Sequence, residues 1–208
     1  MTPIPLGGDT MQMAFRPPPS NPFSTRYTKP GVLPPLDADG RPVDVEQLLA
    51  RMRTGCWVIE GPHGRGKSTL LRTLLSRAMA DRRATSLVQV RSWADVWPAL
   101  HAVFRAGPGH IVAVDGWEQL PPAGGLIIVA MARLRRTVVI ATAHERIGLP
   151  VLVRCESSLA LMEAVVARLP DHGDMISTAD IEAAFRCHRG NVRDALAALY
   201  DRFEERRW

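Results

Sequence analysis

Lysine is almost absent from this 208-residue sequence, in which only Lys29 and Lys67 are lysines among 26 basic residues. The net charge of +5 permits contact with nucleic acid, but the arginines are scattered and form no single basic block. Residues 171–208, for example, contain eight acidic residues and six arginines. We therefore interpret the arginine excess first as compositional bias and only second as a binding surface.

Cysteines are few, and no apolar run is long. Cys56, Cys155 and Cys187 lie far apart without CxxC spacing, which argues against a disulfide framework or a zinc site and is typical of a reducing compartment. The longest apolar run, 126–132, is too short to span a bilayer. The first ten residues have neither the basic start nor the apolar centre of a signal peptide. We expect a soluble, cytoplasmic protein with no membrane partner.

Proline dominates residues 1–43, which cannot form long helices and are expected to be an extended arm. Its aromatic residues Phe15, Phe23 and Tyr27 are candidates for anchoring the arm to the rest of the protein. A short amphipathic helix is predicted at 43–52, where apolar residues recur at helical spacing.

Beyond this arm, apolar segments of strand length alternate with helical patterns. Strands are predicted at 57–60, 86–90, 110–115, 137–141 and 151–155, and helices at 67–81, 93–105, 119–135 and 157–168. Because the strands are apolar on both faces, the pattern predicts an α/β fold with a five-stranded parallel sheet sandwiched by helices.

The character of the sequence changes after Pro170, where strand signals end. Helices are predicted at 178–187 and 191–206, with Gly190 between them. The predicted domains are the proline-rich arm at 1–43, a core of sheet and helices at 44–170 and a small helical lid at 171–208.

The sequence GPHGRGKS at 61–68 fulfils the GxxxxGK[ST] pattern directly after a predicted strand and directly before a predicted helix. Glycines let backbone N–H groups converge on phosphate oxygens, Lys67 reaches the outer phosphates, and the Ser68 hydroxyl binds Mg²⁺. The motif predicts ATP and Mg²⁺ as ligands. The candidate nucleotide-binding residues of this loop are Gly61, Pro62, His63, Gly64, Arg65, Gly66, Lys67, Ser68 and Thr69.

A P-loop also needs a carboxylate at the end of a neighbouring strand, and Asp115 ends the apolar segment HIVAVD. Hydrolysis requires a further group that polarises water. Gly116 stands where a glutamate usually follows, so the nearest candidate is Glu118, provided that the chain turns at Gly116. The alternative is that Glu118 merely begins the next helix, where its charge favours the helix dipole.

The fourth predicted strand ends near Thr142, which is the first choice for a polar residue that senses the terminal phosphate, with His144 second. A simple exit from strand to loop is an equally open interpretation.

Taken together, these segments resemble the AAA+ ATPases. Residues 61–68 are similar to Walker A, 111–115 to Walker B, Thr142 to sensor one and RGNVRDAL at 189–196 to sensor two. The resemblance covers about residues 44–206 and is nearest to compact helicase loaders, origin-recognition proteins and transposition helpers. It implies that Arg193 reaches the nucleotide from the lid, and that the protein acts as a homo- or hetero-oligomer. Departures from the family are Gly116 in place of the Walker B glutamate, a small lid and no appended DNA-binding domain.

In such ATPases the segment before Walker A often contacts adenine, which makes Tyr27 a candidate, although Phe23 and Tyr27 equally suit a purely structural anchor. An arginine that acts on a neighbouring subunit is another family feature. Arg146, Arg135 and Arg136 are the candidates here, and an inconsequential surface position is the alternative for each.

The predicted function is therefore an ATPase whose nucleotide state controls a protein or nucleic-acid partner. A regulatory switch that hydrolyses slowly is the alternative, favoured by Gly116. A small-molecule kinase is a further possibility, for which the turn at 91–93 is a weak acceptor site. DNA binding as the primary activity lacks a motif: Trp93, Trp97 and Trp117 are able to stack on bases, but their spacing favours Trp93 and Trp97 on one helix face in contact with the core.

Overall fold

The computed structural model describes residues 20–207, so predictions for the first nineteen residues, including the anchor Phe15, and for Trp208 lie outside the described part. The strands are β1 Gly55–Glu60, β2 Thr85–Gln89, β3 Ile111–Asp115, β4 Val138–Ala143 and β5 Val151–Arg154. The helices are α1 Thr25–Thr28, α2 Val45–Arg51, α3 Lys67–Ala80, α4 Val96–Arg105, α5 Pro122–Leu134, α6 Leu159–Val166, α7 Thr178–Cys187 and α8 Val192–Arg207. Among these helices, none combines the length and hydropathy needed to cross a membrane.

The five strands form one parallel sheet in the order β2-β3-β4-β1-β5, which confirms the predicted fold class. In this order β1 lies in the interior of the sheet, between β4 and β5. Register aligns Asp115 at the end of β3 with Thr142 near the end of β4 and with Gln89 at the end of β2. Because the strands are parallel, their carboxyl ends share one edge, where ligands bind in open α/β sheets.

Alternate residues of the central strands point to opposite faces of the sheet, and both faces are buried. Val112, Val114 and Val139 pack under α4 and α5, whereas Ile111, Ala113 and Ile140 pack under α2 and α3. This explains why the strands read as continuous apolar runs, since each residue faces one of two helix layers. The two layers fix the sheet and thereby the position of the loops at its carboxyl edge.

Helix α2 is one of the elements predicted within two residues of its bounds. Asp44 caps it by accepting a hydrogen bond from the Gln47 backbone N–H at 2.8 Å. The predicted helix 93–105 divides into a 3₁₀ turn at Trp93–Asp95 and α4. The expectation that Trp93 and Trp97 face the core is wrong: they are 75% and 69% exposed. The core is contacted instead by Val96, Ala99 and Val103, which lie on another side of α4.

The helical lid has a hydrophobic core of its own, which includes α6 in addition to α7 and α8. Leu161 and Met162 of α6 pack with Leu199 and Phe203 of α8, and Phe23 of the arm joins them. The predicted boundary at 170 assigned α6 to the sheet domain, whereas its buried face packs with the lid helices. The domain limits themselves stay a prediction.

Candidate functional site

The GxxxxGKS segment connects the end of β1 at Glu60 to the start of α3 at Lys67. Three glycines of this loop adopt positive φ, a region that favours glycine: Gly61, Gly64 and Gly66. Their turns place a run of backbone N–H groups at the N-terminus of a 14-residue helix, where the helix dipole favours an anion. The loop therefore has the local structure of a phosphate cradle.

The ammonium group of Lys67 is held inside this loop. Its Nζ donates hydrogen bonds to the carbonyl oxygens of Gly61 and Pro62 at 2.5 and 2.7 Å, and lies 3.0 Å from Nδ1 of His144. These partners satisfy the three donors of the ammonium. The lysine is thus oriented toward the cradle by the loop itself.

Burial lowers the pKa of Lys67, and the nearby positive charge of Arg193 adds to this, while the carboxylates of Asp115 and Glu118 act in the opposite direction. Asp115, Glu118 and Arg193 also line one cavity together with Lys67. Residues distant in sequence thus come together near Lys67.

Ser68, Asp115 and Thr142 form a second polar cluster beside the loop. The Ser68 hydroxyl lies 3.3 and 3.4 Å from the two carboxylate oxygens of Asp115. Thr142 Oγ1 donates to Asp115 Oδ1 at 2.6 Å and accepts from the Gly116 backbone N–H at 3.0 Å. The threonine is buried, and its hydrogen bonds fix the orientation of the aspartate.

The donor set of Ser68 and Asp115 fits Mg²⁺, a hard cation that binds oxygen and is often held by one or two carboxylates together with substrate phosphates. Within residues 20–207 there is no group of three or more His, Cys, Asp or Glu residues arranged to hold a metal. A protein-only metal cage is therefore not built in this part of the chain. A hydroxyl and a carboxylate next to a phosphate cradle match a metal bound jointly with phosphates.

Glu118 reaches the same site because the chain turns sharply after β3. Gly116 has φ +98°, and a Cβ at this position would lie 2.5 Å from the carbonyl oxygen of Val90, so a glycine is required. The turn continues into the 3₁₀ helix Trp117–Gln119, separate from α5, which begins at Pro122. Glu118 is therefore not the first-turn residue of the following α-helix, and its carboxylate lies by Lys67 and His144.

His144 connects the two halves of the site. Its Nε2 lies 2.8 Å from Glu118 Oε1, its Nδ1 contacts Lys67, and its ring stacks on that of His63 with centroids 3.4 Å apart. Burial lowers the pKa of His144, and the charge of Lys67 lowers it further. Sequence reasoning ranked His144 behind Thr142 and gave His63 only a place in the loop. Both could have been found from their place in the sequence. His63 lies inside the GxxxxGKS segment, and His144 directly follows β4, which is an interior strand of the sheet.

The lid meets the P-loop through the turn that precedes α8. Asn191 contacts Gly64 so closely that a Cβ on Gly64 would lie 1.6 Å from the Asn191 side-chain oxygen. Ser157 donates a hydrogen bond to the Gly190 carbonyl at 2.6 Å and so connects the same turn to the loop after β5. Arg193, the second residue of α8, lines the cavity beside the P-loop.

A cavity of about 1170 Å³ extends from the P-loop between the arm and the lid. Ligand-binding clefts commonly measure roughly 300–1,000 Å³, so this cavity has room for a nucleotide and its metal. Its lining also includes apolar residues of the cluster formed by the lid and the arm, namely Leu33, Leu161, Val165 and Leu196. The cavity therefore combines polar lining from the P-loop, suited to phosphates, with apolar lining suited to a base.

Tyr27 does not line this cavity. Its side chain packs against the apolar cluster of the lid, and its hydroxyl lies 3.0 Å from Ser20 Oγ. Its neighbours Thr25, Thr28 and Lys29 line the cavity instead. The predicted adenine contact of Tyr27 thus has no support from its position, which matches the alternative of a structural anchor.

The three arginines considered for action on a neighbouring subunit all lie outside this cavity. Arg135 donates to the Ala106 carbonyl at 3.2 Å and covers the Phe104 ring, whereas Arg146 lines a small separate depression. Arg136 is exposed at the end of α5. Their proposed role stays a prediction.

No known protein family matches the sequence, and no curated protein matches it. Among solved structures, two point mutants of RuvB from Thermotoga maritima resemble this chain. They align with TM-scores of 0.50 and 0.49 at 14% and 13% identity, over 74% of this chain and 56% of the RuvB chain. The chain thus matches just over half the length of RuvB. At 14% identity, the likeness to the mutant with a TM-score of 0.50 shows a shared fold.

Proposed function

We propose that this protein binds ATP with Mg²⁺ in the cavity between sheet, arm and lid, and hydrolyses the ATP. The observation that carries the proposal is the convergence of Lys67, Ser68, Asp115, Glu118 and Arg193 on one cavity from separate parts of the chain. A structural glycine-rich turn would need none of these partners. The arrangement matches the requirements of phosphoryl transfer, which depends on positioning and charge stabilisation.

Each residue has a defined task in this proposal. The loop N–H groups and Lys67 hold the phosphates, and Thr142 keeps the Asp115 carboxylate oriented. Ser68 and Asp115 would hold Mg²⁺, which supplies charge neutralisation at the phosphates when bound. Glu118 accepts a proton from the attacking water, the part played by a general base.

The lid transmits the nucleotide state to a partner. Arg193 and Asn191 belong to the same turn, so an arginine drawn to a phosphate moves the Asn191 contact with Gly64. A nucleotide that binds one lid position more tightly than another shifts the lid population accordingly. We assign the controlled partner to the class of proteins or nucleic acids, in a homo- or hetero-oligomeric assembly, in the cytoplasm.

A slowly hydrolysing switch is the second candidate, supported by Gly116, which stands next to Asp115 where a glutamate usually follows. The nearest candidate base is then Glu118, two residues beyond Gly116.

The proposal is tested by steady-state ATP hydrolysis with Mg²⁺ on wild type, Lys67→Ala and Glu118→Gln, with binding of a fluorescent ATP analogue measured in parallel. Lys67→Ala is expected to lose binding and turnover. Glu118→Gln is expected to bind normally and to lose roughly a hundredfold or more in turnover, the lower end of what general base catalysis contributes. Tight binding with negligible wild-type turnover would select the switch, and no ATP binding by wild type would refute both candidates.

A further inference from the structure

Helices α4 and α5 expose large apolar side chains on the outer surface of the sheet domain. We call this surface the α4–α5 face. Its apolar members, with their exposed fractions, are Trp93 75%, Trp97 69%, Phe104 61%, Leu126 72%, Ile127 49% and Leu134 82%. Single exposed apolar residues are normal on a protein surface, but five on two adjoining helices, together with Trp93 in the 3₁₀ turn just before α4, mark an interaction site.

The two helices lie side by side along the face. Near their N-terminal ends, the Cβ position of Gly124 lies 2.6 Å from Val96 Cγ2, so the backbones approach closely. Near their C-terminal ends, Arg135 donates to the Ala106 carbonyl and its guanidinium lies 5.6 Å from the Phe104 ring centroid. The exposed residues therefore belong to one continuous two-helix surface, and the core beneath it is already filled by the inner sides of both helices.

The charge of the α4–α5 face is mainly positive. Residues 93–136 contain three acidic residues: Asp95 accepts hydrogen bonds from the backbone N–H groups of Arg91 and Ser92, and Asp115 and Glu118 line the cavity of the proposed nucleotide site. Four arginines are exposed on the two helices and the turns that follow them: Arg105, Arg133, Arg135 and Arg136. Within residues 20–207 none of the four forms an ion pair with a carboxylate. A partner for this face must bring negative charge as well as apolar surface.

We propose that the α4–α5 face binds an acidic amphipathic helix of another protein. Two neighbouring helices present a shallow groove, and a third helix with apolar residues at i, i+3, i+4 and i+7 fills such a groove with one side. Its flanking carboxylates meet the arginines at the C-terminal ends of α4 and α5. The interaction is independent of the proposed ATP site, since no residue of the nucleotide cradle takes part.

Other occupants fit this surface less well. A second copy joined through the same face would bring two arginine clusters together, and like charges opposed across an interface disfavour binding. Single-stranded nucleic acid stacks on aromatic rings, but Leu126, Ile127 and Leu134 have no aromatic face for a base and would remain in water.

The test uses an 18-residue fluorescein-labelled peptide with leucines at helical spacing and glutamates elsewhere. A control peptide has the same composition with the leucines redistributed, so that it has no apolar face, and another has lysine for each glutamate. Binding to the full chain without nucleotide is followed by fluorescence anisotropy. The acidic amphipathic peptide is expected to bind at least tenfold more tightly than either control, with weaker binding as salt is raised.

Variants of the chain locate the binding surface. The double substitution Trp97→Ser, Leu134→Ser is expected to weaken peptide binding by at least tenfold. The matched control is Met79→Ser, because Met79 is 62% exposed on α3, across the sheet. The pair Arg133→Ser, Arg136→Ser should reduce both affinity and its salt dependence, whereas Arg51→Ser, Arg53→Ser removes equal charge beside α2 and should leave binding unchanged.

Three further measurements would overturn the proposal in favour of another occupant. These are tighter binding of a twenty-nucleotide oligo-dT than of the peptide, binding to anionic phosphatidylserine vesicles that Trp97→Ser abolishes, and a dimer in solution that the Trp97, Leu134 variant dissociates. Equal binding of the amphipathic and redistributed peptides would also refute it. Circular dichroism of each variant confirms that the exposed substitutions leave the fold intact.

Discussion

His144 donates a hydrogen bond to Glu118, with Nε2 lying 2.8 Å from Oε1. The direction follows from the other ring nitrogen: the Lys67 ammonium can only donate, so Nδ1 accepts and the ring proton is on Nε2. The candidate catalytic carboxylate is thus oriented by a residue just after β4, which also contacts Lys67, the lysine of the proposed phosphate cradle. His144 is a positioning residue for Glu118 in the proposed reaction.

Replacing His144 by alanine should lower ATP turnover by about tenfold, since Glu118 loses the hydrogen bond that orients it, while general base catalysis contributes roughly 10²- to 10⁴-fold in total. The affinity for ATP should stay within about threefold, because the loop N–H groups and Ser68 are unchanged. Steady-state kinetics and analogue binding measure the two effects. The control is His101→Ala, which removes an exposed imidazole on α4. If His144→Ala turned over ATP as fast as wild type while Glu118→Gln was inactive, the positioning role of His144 would be contradicted.

Stability of the ligand-free protein should fall as the pH is lowered through about 6.5, where histidine titrates in an unfolded chain. Burial lowers the pKa of His144 and of His110 in the folded protein. Between the folded and unfolded pKa values the unfolded chain binds more protons, so acidification favours unfolding. Urea midpoints measured from pH 8 to 5.5 should decline less in His144→Gln and His110→Gln, and least in the double variant. Parallel curves for all four proteins would show that these histidines do not govern the acid response.

Gly64→Ala should destabilise the protein more than Gly109→Ala. Both glycines have positive φ, +70° and +75°, so alanine meets similar backbone strain of about 1–2 kcal/mol at each. Only at Gly64 would the added Cβ meet Asn191, whereas nothing lies within 4 Å of it at Gly109. Thermal unfolding of the two variants isolates the contact between P-loop and lid. If both variants lose the same stability, the contact between Gly64 and Asn191 does not contribute to the stability of the fold.

Asp180 should contribute to lid stability through its capping box and its two arginine partners. It accepts from the Ser177 backbone N–H and from Arg202 and Arg206 of α8, and the Arg206 hydrogen bond holds its pKa well below the usual range. Asp180→Asn is expected to destabilise the protein by roughly 1–2 kcal/mol, as for loss of a helix cap together with a charged hydrogen bond.

The same depressed pKa sets a pH window for Asp180. Its contribution is complete above the unfolded carboxyl pKa of about 3.9 and is lost as the pH falls below it. The control is Glu182→Gln, whose i,i+4 ion pair with Arg186 lies on the surface of α7 and is worth only a few tenths of a kcal/mol. Chemical denaturation at pH 7 and pH 3 compares the variants. A difference between Asp180→Asn and wild type that persists undiminished at pH 3 would refute the charge contribution.

Much of the fold could be predicted because its signals are local. The five strands were each predicted within two residues, since parallel strands buried on both faces are continuous apolar runs. The loop at 61–68 was equally clear, because a strand, glycines and a helix start must follow one another directly. The tryptophans of the α4 region were predicted wrongly for a physical reason: helical spacing shows that Trp93 and Trp97 share a side, but not which side faces the sheet.

The sequence by itself determined the parallel sheet, the glycine-rich loop between β1 and α3, and the order of the polar residues along the chain, because each depends on residues that are adjacent or periodic. The tertiary structure decided which of those residues meet. Strand order places β4 between β1 and β3, and so brings His144 to Lys67 and Glu118. The tertiary structure also brings Asn191 into contact with Gly64 and leaves the apolar residues of the α4–α5 face exposed. Such contacts join positions tens of residues apart, and no local pattern encodes the packing that creates them.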